Sequence, residues 1–401
     1  MTLTITPSKL TGKVTPPPSK SQAHRLLIAA ALAGEGSRLR NLADSQDIQA
    51  TRRCLEELGP WQGPMSPLRR LALPRLDCGE SGSTLRFLIP VALALRGGGI
   101  FTGQGRLMER PQQPYFDLFR EKGIFYQQKD GTLTVQGLLS PGKYELPGNV
   151  SSQFITGLLY ALPLLEGDSC IVPTTPVESW DYILMTLDAL RQAGIVVEVP
   201  REGSPCFLIP GNQTYRPIQA AVEPDWSQAG FWFAAGALGN PVEVEGMKAP
   251  SLQGDWRYLE LQEQIFAAPQ ARVDMSQNPD LLPPLAAAAA LAAGHVTRFV
   301  NAGRLRIKES DRLHSVTTVL NALGAEVEEG EDFLLVHGKE ALSGGVTVDA
   351  FNDHRIAMMT AIAATRCKSP VTLTGGASVN KSYPSFWEEY ARLGGKIKSE
   401  K

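Results

Sequence analysis

Residues 19–36 read SKSQAHRLLIAAALAGEG, a polar cationic cluster followed at once by an Ala/Leu-rich run that closes on Gly. Ser suits a helix N-cap and Gly a helix end, so the stretch predicts one helix with both boundaries marked. The run is apolar nearly all round, which predicts a helix buried on every side rather than laid on a surface. The same design recurs as ESGSTLRFLIPVALALRGG at 80–98 and SSQFITGLLYALPLLEGD at 151–168. It returns as DWSQAGFWFAAGALGN at 225–240, PDLLPPLAAAAALAAG at 279–294 and NDHRIAMMTAIAATR at 352–366. A helix N-terminus presents unpaired N–H groups and the positive end of the dipole, which favours anions. Six such ends carrying Lys, Arg, Ser and Asp point to helix termini gathered around an anionic ligand.

Outward from these helices, β-branched stretches follow five of the six: SRLRNLA at 37–43, DSCIVPT at 168–174, PVEVEGM at 241–247, HVTRFVN at 295–301 and PVTLTGG at 370–376. They read as strands. Second, amphipathic helices are expected at 48–58, 115–122, 182–193, 259–266 and 311–323, the last with Gly324 as its C′ residue. The unit is helix, strand, helix, strands, six times over. Six units divide into three plus three at the turn-rich run 209–217. A two-lobed α/β protein with a ligand cleft between lobes is the expected architecture.

The bulk numbers agree. A chain of 401 residues exceeds one ordinary core, so two domains are expected. Net charge is −2, which leaves no global field for nucleic acid or an anionic membrane, and any anion site must come from local clustering. The opening MTLTITPSKL has neither a basic n-region nor an apolar h-region, so it does not read as a signal peptide. The longest apolar stretch, 281–294, is short of a bilayer and holds Pro283 and Pro284. Five scattered cysteines without CxxC fit a reducing cytoplasm, and five histidines without HxH or HExxH spacing offer little to a metal. No Walker motif and no GxGxxG after a strand appears, which disfavours nucleotide cofactors.

Chemistry concentrates at element junctions. Pro16, Pro17 and Pro18 stiffen the approach to Ser19 or Ser21 as cap, with Lys20 and Arg25 in the first turns. Two cations at that end oppose the dipole unless an anion is bound; the alternative is a capped helix with solvated cations. In Arg304–Arg312, an extended 304–308 would put Arg304, Arg306 and Lys308 on one face. A helix beginning near Ser310 would put Arg312 in its first turn. Solvated Lys308/Asp311 and Glu309/Arg312 pairs explain the same spacing. Arg355 opens an apolar helix behind His354, which is as readily structural as functional. Lys381 precedes a Pro-marked helix start, and Pro111 holds Arg110 extended. Ser151, Ser152 and Gln153 offer more side chains than one cap needs; Asp280 is a cap or a working carboxylate, and Asp225 reads as a cap. Of these, Lys20, Arg25, Arg110, Lys308, Arg312, Arg355 and Lys381 are seven cations at junctions of an acidic chain, which suit two multiply charged small molecules.

PSKSQAHR, GESGSTLR, ERP, VSSQF, NPD, RIKESDR, NDHR and NKSYP, in this order, closely resemble the 5-enolpyruvylshikimate-3-phosphate (EPSP) synthase family. The resemblance spans Lys20 to Lys381. It implies an inside-out α/β barrel of two lobes, each of three βαβαββ units, with the chain starting in one lobe, crossing and returning. The lobes are then 14–216, on the shikimate 3-phosphate side, and 1–13 with 217–401, on the phosphoenolpyruvate and catalytic side. It implies transfer of the enolpyruvyl group of phosphoenolpyruvate to the 5-hydroxyl of shikimate 3-phosphate with release of phosphate, by a cytoplasmic monomer of aromatic amino acid biosynthesis without metal or organic cofactor. By motif, Lys20, Ser21, Arg25, Ser151, Ser152, Gln153, Ser179, Asp280 and Lys308 would hold shikimate 3-phosphate, with Tyr182 near its ring. Lys20, Gly82, Arg110, Gln153, Arg312, Arg355 and Lys381 would hold phosphoenolpyruvate. Asp280 would take the hydroxyl proton and Glu309 would protonate the methylene, with Lys20 an alternative donor and His354 a further catalytic candidate. The mimic glyphosate would compete at Gly82, Arg110 and Lys381.

The sequence departs from the family pattern in places. Glu80 and Arg304 stand where members of the family carry Asn, Arg86 reads as structural, and 60–75 is Pro- and Arg-rich without a clear match. The sister enzyme acting on a UDP-sugar carries a Cys at about the position of GRLMERPQQP, and 105–114 has none. A non-catalytic anion-binding scaffold would not need Asp280 and Glu309 beside the cations.

Overall fold

The computed structural model describes residues 1–60, 72–199 and 206–400. Most of the Pro- and Arg-rich stretch, 61–71, lies outside the described residues. The protein is mixed α/β and divides into two compact units, Lys20–Val222 and Met1–Ser19 with Glu223–Lys401. The chain therefore crosses between units at 19/20 and 222/223, each six residues beyond the seam read from sequence. Local pairing gives the reason. Ser19 N–H donates to the Glu223 carbonyl at 2.8 Å, and Pro18 bridges Pro224, which holds 15–19 in the second unit. Gln219–Ala221 pairs in parallel with Arg38–Arg40, which holds 217–222 in the first.

In the first unit, α1 (Lys20–Ala33), α3 (Gly82–Arg96) and α5 (Ser152–Ala161) are the buried helices. The amphipathic α2 (Gln46–Leu58), α4 (Gln113–Lys122) and α6 (Trp180–Gln192) alternate with them. One sheet runs Arg75–Asp77, Gly98–Thr102, Thr132–Gln136, Phe125–Lys129, with its first pair parallel and the rest antiparallel. A second runs Phe207–Ile209, Ser169–Pro173, Gly142–Leu146. Pro90 interrupts α3: it has no N–H for the carbonyl of Arg86, and the Tyr115 hydroxyl donates to that carbonyl at 2.8 Å instead. Gly157 of α5 faces the same carbonyl, where a Cβ would lie 2.5 Å away, so α3 and α5 approach closely only because this position is Gly.

The second unit repeats the scheme with buried α7 (Trp226–Ala237), α9 (Leu282–Ala290) and α11 (His354–Ala364). The partners are α8 (Tyr258–Ala267), α10 (Arg312–Ala322) and α12 (Phe386–Arg392). Every residue of α9 is buried, as its all-round apolar sequence requires. One sheet runs Gln270–Asp274, Val296–Val300, Leu334–His337, Glu326–Glu329, in the order and sense of the first unit's four-stranded sheet. The other runs Thr347–Asp349, Val371–Thr374, Thr2–Thr6, Lys396–Glu400, so the chain's first strand fills the place that a late strand fills elsewhere. Among the described residues no helix is long and apolar enough to cross a membrane.

Candidate active site

Within Lys20–Val222, the first turns of three helices carry the groups of interest. Lys20 opens α1 and its Nζ lies 2.7 Å from Asp47 Oδ2 of α2, both side chains largely buried. That carboxylate balances a cation that would otherwise oppose the helix dipole. Arg25 is buried: Nε donates to Thr186 Oγ1 at 2.9 Å and to the Tyr182 carbonyl at 3.1 Å, and Nη1 donates to the Ser21 carbonyl at 2.6 Å. Its guanidinium also lies over Phe87 and Tyr182, and burial pushes it down to about 10. Beneath this turn, His24 Nδ1, Thr51 Oγ1, Thr84 Oγ1 and Ser81 Oγ form a buried chain of 2.7 Å contacts. It ends where Ser81 caps α3 by accepting from Thr84 N–H at 3.1 Å.

Gly82 begins α3, and a Cβ there would stand 2.6 Å from Arg110 Nη1 and 2.9 Å from its Cζ. The Arg110 guanidinium thus packs directly on the bare backbone of Gly82. Arg110 is buried and extended, as the following Pro111 requires. At α5, Ser151 caps by accepting from Gln153 N–H at 3.3 Å, and Ser152 is buried. Gln153 Oε1 accepts from Arg86 Nη1 at 2.8 Å while its Nε2 donates to Ser83 Oγ at 3.0 Å, so both ends of the amide are directed. Ser179, the N-cap of α6, is buried in a left-handed conformation with φ 56°, unusual for Ser.

Within the second unit, Asp280 sits on the short 3-10 turn Pro279–Leu281 that leads into α9. Its carboxylate faces Arg312 Nη1 at 2.8 Å, Arg355 Nη2 at 3.0 Å and Lys308 Nζ at 3.4 Å. Arg312 opens α10, is 1% exposed along its side chain, and also contacts Glu309 Oε2 at 2.5 Å and Asp353 Oδ2 at 2.8 Å. Asp353 caps α11 through Arg355 N–H at 2.9 Å and accepts from Ser310 Oγ at 3.1 Å. His354 is buried with Nδ1 3.9 Å from Asp353 Oδ1. Lys381 closes the 3-10 turn Gly376–Lys381, and its ammonium donates to the Asn352 carbonyl. Phe351 and Asn352 are both left-handed, with φ 51° and 50°, a conformation that strains a bulky residue such as Phe.

The electrostatics follow from this crowding. Burial opposes ionisation of Asp280, but Arg355, Lys308 and Arg312 outweigh it and hold the carboxyl well below its ordinary range. Burial pushes the Lys308 ammonium down to about 8 against the pull of Asp280. Burial works against the Arg312 charge too, yet Asp353, Glu309 and Asp280 raise its pKa above the ordinary value.

The structure brings Asp280, Lys308, Glu309, Arg312, His354 and Arg355 into one neighbourhood, and Gly82 against Arg110. It corrects the extended reading of 304–308: Gly303–Ile307 is a 3-10 turn and the three cations diverge. Arg304 donates to the Ser276 carbonyl, Arg306 pairs with Asp311 at 2.8 Å and Glu329 at 3.2 Å, and Lys308 turns to Asp280. Lys308 and Asp311 are therefore not a pair, because Asp311 caps α10 through His314 N–H and takes Arg306. Asp225 caps α7 through Ser227 and Gln228 N–H at 2.9 and 3.0 Å. Asp47 and Asp353 were missed by sequence reasoning. Asp353 carried a signal, an Asp directly before an apolar helix; Asp47, in the middle of a polar run, carried none.

An EPSP synthase structure from Acinetobacter baumannii matches with TM-score 0.76 and 24% identity over 100% of both chains. The enolpyruvyl transferase NikO from Streptomyces tendae matches with TM-score 0.74 and 16% identity over 99% of this chain and 98% of that one. At these identities the likeness speaks for the fold alone. Sequence relatives are nearer: a 3-phosphoshikimate 1-carboxyvinyltransferase of Clostridium kluyveri is 43% identical over 98% of each chain. One of Clostridium acetobutylicum is 44% identical over 98% of this chain and 97% of its own. The family model of EPSP synthase (3-phosphoshikimate 1-carboxyvinyltransferase) matches residues 5–390, and the chain belongs to that family.

Proposed function

We propose that the protein transfers the enolpyruvyl group of phosphoenolpyruvate to the 5-hydroxyl of shikimate 3-phosphate and releases phosphate. The observation that carries the mechanism is Asp280, a carboxylate kept ionised by Arg312, Arg355 and Lys308 within 3.4 Å. Facing three cations it is a weak base. When phosphoenolpyruvate brings its own phosphate and carboxylate, Arg312 and Arg355 turn to those anions and the proton affinity of Asp280 rises. The 5-hydroxyl then adds to C2 as its proton passes to Asp280, and C3 takes a proton from Glu309, with Lys20 the alternative donor and His354 a further catalytic candidate. The tetrahedral intermediate next loses a proton from the new methyl group while the C2–O bond to phosphate breaks, which restores the double bond. Lys20, Arg110, Arg312, Arg355 and Lys381, with Gly82 and Gln153, hold phosphoenolpyruvate and stabilise phosphate charge throughout. Lys20, Ser21, Arg25, Ser151, Ser152, Gln153, Ser179, Asp280 and Lys308 hold shikimate 3-phosphate, with Tyr182 at its ring.

This reading includes the finer fold, two lobes each an inside-out barrel of three βαβαββ repeats, supported by the recurring strand order around buried helices. The 20–222 lobe takes shikimate 3-phosphate and the other lobe carries phosphoenolpyruvate and the catalytic carboxylates. It includes a cytoplasmic monomer that needs no cofactor. Mixing the protein with both substrates and following inorganic phosphate tests it. Release that requires both substrates supports the reading; release with a UDP-sugar acceptor in place of shikimate 3-phosphate sinks it.

A further inference from the structure

The α7 terminus carries no cation, and its Asp225 is occupied as a cap. The side chains two and three positions further on nevertheless reach the groups that surround Asp280 and Lys381. Ser227 Oγ accepts from Arg355 Nη2 at 2.8 Å, and the same nitrogen donates to Asp280 Oδ2 at 3.0 Å. Gln228 Nε2 donates to Ser382 Oγ at 3.1 Å, one residue beyond Lys381. One turn further on, Trp232 Nε1 donates to the Tyr383 hydroxyl at 3.2 Å and its ring stacks on Phe386. Ser227 and Gln228 are both at least 95% buried. Gln228 Oε1 has no hydrogen-bond partner among the described residues, a desolvation cost that a small apolar residue at this position would not carry.

We propose that Ser227 and Gln228 are positioning residues for phosphoenolpyruvate, the first aiming the Arg355 guanidinium and the second fixing, through Ser382, the backbone that presents Lys381. The proposal rests on the reading of Arg355 and Lys381 as phosphoenolpyruvate cations. Arg355 Nη2 is held between two acceptors. Without the Ser227 oxygen the guanidinium closes on Asp280, which both withdraws a cation from the substrate and deepens the clamp on the base. Gln228 acts at the other cation, where loss of the Ser382 contact frees the turn that ends in Lys381.

Steady-state kinetics of Ser227→Ala and Gln228→Leu, run beside the unaltered enzyme with each substrate varied in turn, test this. The expected result is a KM for phosphoenolpyruvate raised about tenfold in each variant, the loss of one hydrogen bond to or beside a charged group. The KM for shikimate 3-phosphate stays within about twofold, Tm is little changed, and Ser227→Thr, which keeps the hydroxyl, restores the wild-type value. Unchanged KM for phosphoenolpyruvate in both variants overturns the proposal, as does a parallel rise in both KM values with a lowered Tm. Should Ser227→Ala fail to fold, Ser227→Cys against Ser227→Thr decides: equal KM values for phosphoenolpyruvate overturn the role. If the unaltered enzyme releases no phosphate, the functional reading falls and takes this proposal with it; an active enzyme with indifferent variants overturns the positioning alone.

Discussion

Asp280 illustrates how little a residue type says without its neighbours. Alone it reads equally as a cap or a base; with Arg312, Arg355 and Lys308 around it, it is a carboxylate whose basicity depends on what occupies those cations. Asp280→Asn is expected to lower kcat by roughly 10²–10⁴, the range for loss of general base catalysis, without raising the KM for phosphoenolpyruvate, because the arginines lose a competing partner. A KM that rises with no loss of kcat would make Asp280 a binding group. Lys308 supplies the pH test. Its folded pKa of about 8 lies below the ordinary lysine value, so the ligand-free enzyme loses this cation as pH climbs through that point. The profile of kcat/KM for shikimate 3-phosphate should therefore fall above about pH 8, and Lys308→Arg, charged throughout, should abolish that limb. The same limb in the variant would assign it to another group. Gly82 gives the third test at this scale. A methyl at position 82 meets the Arg110 guanidinium at 2.6 Å, so Gly82→Ala should displace it, raising the KM for phosphoenolpyruvate and weakening competition by glyphosate together. Unaltered values for both would show that Arg110 yields without consequence.

At the scale of elements, five of the buried helices were legible because an apolar run follows a polar cluster directly, and the structure caps four of them, with Ser81, Ser151, Asp225 and Asp353. The fifth in chain order, α9, is preceded by a separate 3-10 turn, a consequence of Pro283 and Pro284 that the apolar run concealed. Residues 303–307 were misread for a related reason: alternating Arg, Leu, Arg and Ile has strand periodicity, but the carbonyls of Ser276 and Gly330 and the acids Asp311 and Glu329 draw the arginines into a tight turn. Long-range partners such as Asp47 for Lys20 have no local signature at all. The chain His24–Thr51–Thr84–Ser81 ties α1, α2 and the cap of α3 together. Thr51→Val removes its middle and strands a buried imidazole nitrogen. Chemical denaturation should register a loss of about 1–3 kcal/mol. A variant as stable as the parent would mean that these contacts are not net stabilising.

For the whole molecule, the alternation of buried and amphipathic helices was readable, but α12 (Phe386–Arg392) was not delimited, and the crossings between units lie six residues beyond the seam read from sequence. The cause is pairing between segments far apart in sequence: Gly12–Val14 with Val242–Val244, and Gln219–Ala221 with Arg38–Arg40. The strand ahead of α1 belongs with the strand that follows α7, and the strand ahead of α7 with the strand that follows α1, so Lys20–Val222 is inserted between the two segments, Met1–Ser19 and Glu223–Lys401, of the other unit. Ser227 and Gln228 teach the same lesson at the site, since their terminus looked like a mere cap until Arg355 and Ser382 were seen against it. The central claim is addition and elimination through a methyl-bearing intermediate, with a proton delivered to C3 and one later removed. Running the reaction in deuterium oxide and analysing the product by mass spectrometry and proton NMR addresses it directly. Deuterium in the methylene of the transferred enolpyruvyl group is the expected result, because the transient methyl group gains one solvent hydron and loses one of three. Product formed at the normal rate with no deuterium in that methylene would contradict the account.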